Sequence, residues 1–81
     1  MLSEQEFALA VESARAATPE VVSVSIMGFS AEVEYESRSG KSTWNSHISV
    51  DPETCHLTSY GTYTDSWARM NFESTLRSNL G

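Results

Sequence analysis

The chain has 81 residues and a net charge of −6, from 11 acidic and 5 basic side chains, with 40% hydrophobic and 10% aromatic content. That is one globular domain spanning residues 1–81, too apolar for a disordered chain and too short for a second core. The basic residues Arg15, Arg38, Lys41, Arg69 and Arg77 are scattered, so no basic patch offers itself to a nucleic acid backbone or an anionic membrane.

The first element is a helix announced by Leu2-Ser3-Glu4-Gln5-Glu6-Phe7. Ser3 is placed to cap the third helical amide while Glu6 reaches back to the amide of Ser3, and Leu2 and Phe7 hold the staple positions. Phe7, Ala10, Val11, Ala14 and Thr18 then share one face at helical spacing, and the helix is expected from about Glu4 to Ala17, ending before Pro19. Leu9 points away from that face.

From Glu20 to about Tyr63 the period changes to two. Val22, Val24 and Ile26 share a face with even numbers, whereas Ala31, Val33 and Tyr35 share one with odd numbers. A continuous strand cannot change parity, so the chain must turn or bulge between them. Gly28-Phe29 suits a type II′ turn that pairs Ile26 with Ala31 and Val24 with Val33; a bulge at Gly28 in one bent strand is the alternative.

Parity changes again after Arg38-Ser39-Gly40-Lys41, giving Trp44, Ser46, Ile48 and Val50. A two-residue turn at Ser39-Gly40 sets Arg38 against Lys41 and Tyr35 against Trp44. Asp51-Pro52-Glu53-Thr54 is a further turn, and a loop of even length carries Cys55 and Leu57 onto the inner face with Val50. Asp65 or Ser66 can then cap a second helix running to about Asn79, with Ala68, Phe72, Leu76 and Leu80 as its apolar stripe.

The expected fold is α+β: an N-terminal helix, an antiparallel β-meander of three to four strands and a C-terminal helix. Both helices are expected on one sheet face, because the other face alternates polar throughout. In its bent-strand form this order of elements is shared with double-stranded-RNA-binding modules. Those modules need lysines at the start of the second helix, where this chain has Asp65-Ser66-Trp67-Ala68-Arg69.

Chemical motifs are sparse. Gly40-Lys41-Ser42 ends like a phosphate-binding loop, but the earlier glycine of that motif is replaced by Tyr35, and a strand rather than a helix follows. Cys55 is the single cysteine, which excludes an internal disulfide and is expected to fill the core as a small hydrophobe. Its neighbour His56 points to the opposite strand face, so the two cannot form a thiolate–imidazole pair. No serine sits in a nucleophile-elbow pattern. The first residues lack the charged start and apolar run of a signal peptide, and no stretch is long and apolar enough to span a bilayer. A cytoplasmic protein that is not an enzyme and needs no cofactor is therefore expected.

Three groups of residues stand out as sites. The outward face sets Glu32, Glu34 and Glu36 opposite His47, Asn45 and Thr43, an acidic row for a basic protein. On the same face Glu32, His47 and a diagonally placed His56, within roughly 7–8 Å, make the one candidate metal set. Leu9, Trp67 and Met70 are apolar residues in excess of the helix stripes. Trp67 and Met70 either pack helix two against helix one or form a patch for a second copy or another protein. The function expected is that of a small acidic protein-binding domain, a homodimer or complex subunit. The alternatives are an acidic inhibitor or chaperone-like protein for a basic partner, or weak metal binding on the outer sheet face.

Overall fold

The computed structural model describes residues 1–37, 40, 42–61 and 67–80. Helix α1 (Glu4–Ala16) is followed by strands β1 (Val21–Met27), β2 (Ser30–Glu36), β3 (Thr43–Val50) and β4 (Leu57–Gly61), then by helix α2 (Trp67–Leu80). The strands form one antiparallel meander in the order β1-β2-β3-β4. Both helices lie on the same side of it, as the sequence suggested.

Local chemistry sets the ends of α1. The Ser3 hydroxyl accepts from the Glu6 amide at 3.1 Å, and the Ser3 amide donates to Glu6 Oε1 at 2.9 Å. These hydrogen bonds favour the Glu6 carboxylate and lower its pKa. At the other end Thr18 donates through its hydroxyl to the Ala14 carbonyl and accepts from the Val21 amide, turning the chain into β1. Phe7, Ala10, Val11, Ala14 and Thr18 are buried, the stripe that helical spacing required.

Four strands form because Gly28 makes a turn rather than a bulge. Gly28 has φ of 59° while Phe29 stays out of the left-handed region, the signature of a type II′ hairpin. It pairs Met27 with Ser30, Ile26 with Ala31 and Val24 with Val33. The bulge lies at the opposite end of β1, between Val21 and Ser23. This corrects the expected face: Val21 takes the inward position at 7% exposure, and Val22 is turned out to 47%. The expectation failed because an alternating run of valines is compatible with either residue leading, and only the pairing with Tyr35 decides between them.

Between β2 and β3, Tyr35 lies opposite Trp44, and their rings stack with centroids 5.7 Å apart and planes 9° from parallel. Ser37 donates to the Ser42 carbonyl and Gly40 to the Ser37 carbonyl, with Gly40 at φ 76°. The expected facing of Arg38 and Lys41, and the Ser39 turn position, fall outside the described residues. Between β3 and β4 Leu57 lies on the inner face with Val50 as expected. The loop is longer than the four-residue turn, and Leu57 rather than Cys55 is the residue opposite Val50. Cys55, however, does not reach the core face. It is half-buried in the loop with φ of 61°, its amide donating to the Asp51 carbonyl at 2.7 Å. The left-handed step that brings the chain back toward β3 takes Cys55 out of the strand alternation.

Phe7, Val11, Val33, Tyr35, Ile48, Phe72 and Leu76 are fully buried at the centre of the core. Phe72 meets the Tyr35 ring edge to face at 6.2 Å, and Asn79 donates its side-chain amide to the Ala10 carbonyl, joining the two helices. The proposed caps of α2, Asp65 and Ser66, lie outside the described residues.

Candidate partner-binding surfaces

With both helices on one side, no described element covers the other face of the sheet. Glu32, Glu34 and Glu36 alternate outward from β2 opposite His47, Asn45 and Thr43 of β3, the register read from the sequence. The Glu32 carboxylate contacts His47 Nδ1, and the His47 ring stacks on Tyr60 of β4 at 5.0 Å. Ser23, Ser25 and Met27 of β1 continue this face on one side, and Thr58 and Tyr60 on the other. Met27 and Tyr60 are 75% and 65% exposed. The surface carries an open depression of about 370 Å³ bordered by Val22, Glu34, Thr43 and Asn45 and a smaller one of about 60 Å³ between Met27 and His47.

The three metal candidates are not brought together. Glu32 and His47 meet, but the β4 residue opposite His47 is Tyr60, whereas His56 precedes the strand beside Asp51. His56 and Tyr60 are four residue steps apart, about 13 Å at strand rise. The position diagonal to His47, expected for His56, is occupied by Thr58. Among the described residues no three His, Cys, Asp or Glu side chains are arranged to hold a metal ion.

On the helix side Leu9, Trp67 and Met70 are 63%, 76% and 53% exposed. Trp67 and Met70 therefore do not serve to pack α2 against α1. Helix α2 instead carries a buried ion pair that was not among the expected site residues. Arg69 and Glu73 are each 6% exposed, and Arg69 Nε donates to Glu73 Oε2 at 2.9 Å. Ser59 of β4 donates to Glu73 Oε1 and accepts from the Arg69 guanidinium, both at 2.9 Å. Arg77 approaches the same carboxylate at 3.8 Å. A signal was present: Arg69 and Glu73 are four apart and adjoin Ala68, Phe72 and Leu76, while alternation turns Ser59 inward beneath them.

Tyr35 belongs to the same interior. Its hydroxyl shares a 3.1 Å hydrogen bond with the Ser46 hydroxyl. Burial pushes its pKa up from 10 to about 12, with the Glu73 charge adding to the rise and the Ser46 bond and Arg69 opposing it. A phenol whose folded pKa is raised contributes stability in full below its unfolded value and loses it as pH rises through the folded one. Alkaline titration followed by tyrosinate absorbance and circular dichroism should thus show structure lost as pH climbs from 10 toward 12. Tyr35→Phe should lose this part of the pH dependence; an unchanged profile would show that Tyr35 does not govern it.

Among the described residues no helix is long and apolar enough to cross a membrane. Compared with known protein families, curated proteins and solved structures, the chain matches none.

Proposed function

We propose that this chain is a protein-binding domain that works by association rather than catalysis, and that its open sheet face receives a basic segment of another protein. The observation that carries this reading is the row of three carboxylates held in register on β2 of a sheet whose helices occupy only the other face. Exposed Tyr60 and Met27 supply apolar contact beside that row, the residue types favoured at interfaces. An acidic inhibitor or chaperone-like role is the form such binding takes when the partner's basic surface must be shielded.

Charge complementarity acts mainly on encounter rate and selectivity, and it weakens as salt shortens the Debye length to about 3 Å at 1 M. The test is a lysine-rich peptide titrated against the protein by fluorescence anisotropy at rising ionic strength. Wild type should bind more weakly with each salt increment, and a Glu32→Gln, Glu34→Gln, Glu36→Gln variant should bind several-fold more weakly at low salt with a flatter salt dependence. Equal affinity and equal salt slope in the two proteins would remove the β2 row from the site. A second reading, a subunit contact through Trp67 and Met70, rests on their exposure one turn apart on α2. It calls for binding that is insensitive to salt and lost in Trp67→Ser.

A further inference from the structure

Strand β1 is an outer strand of the sheet, and its sequence, Val21-Val22-Ser23-Val24-Ser25-Ile26-Met27, contains neither a charged residue nor a proline. Edge strands present unpaired backbone groups, and natural sheets protect them with charges, prolines, bulges or brevity. Among the described residues the only such device is the bulge between Val21 and Ser23, and pairing from Ser23 to Met27 is regular. The type II′ turn makes Met27, Ser25 and Ser23 the hydrogen-bonded partners of β2, since such pairs alternate away from the turn. Val24 and Ile26 consequently turn their amides and carbonyls to the free edge. Their side chains point to the helix side and are still partly exposed, whereas Ala31, Val33 and Tyr35 beside them on β2 are 0–2% exposed. Among the described residues the core thus runs out at β1: no described strand pairs with this edge, and no described element fully covers its apolar side chains.

We infer that β1 pairs with β1 of a second copy, antiparallel about a twofold axis at Ser25, joining two four-stranded sheets into one. This register avoids the bulge. Val24 exchanges two hydrogen bonds with Ile26 of the partner subunit, and Ile26 two with the partner subunit's Val24, while the apolar side chains of each pair meet on the helix side. A second copy fits better than a basic strand because β1 is uncharged: it offers nothing for a lysine-rich edge to pair with, and it matches itself. The net charge of −6 does not prevent this. The glutamate rows of the two copies lie on β2 strands three strand spacings apart, about 14 Å, beyond the Debye length of about 8 Å at physiological salt. The other outer strand, β4, is shorter, five residues against seven. The twofold axis stands perpendicular to the sheet, so both open faces come to lie on the same side as one continuous surface. This goes beyond the binding role proposed above and can fail independently of it.

Sedimentation velocity of wild type, Ser25→Lys and Ser25→Cys (the last in a Cys55→Ser background) tests the pairing. Wild type at high micromolar concentration should sediment at twice the 8.9 kDa chain mass. Ser25→Lys, which sets two ammonium groups opposite each other at the axis, should sediment as a monomer with unchanged circular dichroism. At a pair without hydrogen bonds the Cα atoms are about 4.5 Å apart, within disulfide range. Mild oxidation should therefore link Ser25→Cys into a covalent dimer, whereas Thr58→Cys on β4 should stay unlinked. A monomeric wild type, a Ser25→Lys variant as dimeric as wild type, or linkage through Thr58→Cys instead would overturn the inference. Because Ser25 is paired with Glu32, Ser25→Lys also alters the carboxylate row. Val24→Pro, which removes only an amide that faces the free edge, should likewise be monomeric, and its undiminished binding of the lysine-rich peptide separates assembly from binding.

Discussion

Glu73→Ala is expected to lower the free energy of unfolding by about 3–5 kcal/mol, the cost of leaving one member of a buried ion pair without the other. Arg69 is 6% exposed, and in the variant its guanidinium would lose the carboxylate that accepts from Nε, while the Ser59 hydroxyl would lose an acceptor. A domain of this length has about 4–12 kcal/mol in total, so the variant should sit near its unfolding transition in water. The comparison that isolates the charge effect is a double variant, Arg69→Met with Glu73→Leu, which removes both charges and keeps apolar volume. It should recover most of the loss and could exceed wild type, because replacing both partners is often neutral or stabilising. Urea denaturation followed by circular dichroism measures all three proteins. A Glu73→Ala loss under about 1 kcal/mol would show that water or a rearranged Arg69 solvates the site at small cost.

Phe72→Ala should cost about 3–5 kcal/mol by a different route, lost transfer energy plus the cavity that remains. Phe72 is fully buried and stands edge to face against Tyr35, whose other neighbour is the stacked Trp44. Those rings are held by β2 and β3 and cannot follow a shortened side chain, so the cavity should persist. Met70→Ala, two residues earlier but 53% exposed, should change stability by no more than about 0.5 kcal/mol. Equal losses at the two positions would contradict the orientation of α2.

The order of elements and most of the sheet register were legible in the sequence because they depend on local chemistry. Ser3 and Glu6 cap α1 using atoms three residues apart. Gly28 alone admits the positive φ that a type II′ turn needs, and once that turn is placed, alternation dictates every pair from Met27–Ser30 to Val24–Val33. The same reasoning set Glu32 opposite His47 and Tyr35 opposite Trp44. The acidic row of the candidate site was therefore available from spacing alone. Its neighbour was not: Tyr60 stacks on His47 because β4 begins at Leu57, after a left-handed step at Cys55 that nothing local in the sequence required.

What the sequence by itself determined is the order of the elements, the cap of α1 and which residues of β2 and β3 share a face. Each of these follows from backbone geometry over a few residues. Only the tertiary structure decided how much of a face is covered. Arg69 and Glu73 lie beneath α2, and Trp67 and Met70 lie in solvent, because Ser59 of β4 offers polar partners on one side of the helix and no described element covers the other. Val21 displaced Val22 from the core because Tyr35 pairs with it across the bulge. Burial belongs to pairs of elements, and no single stretch of chain specifies it.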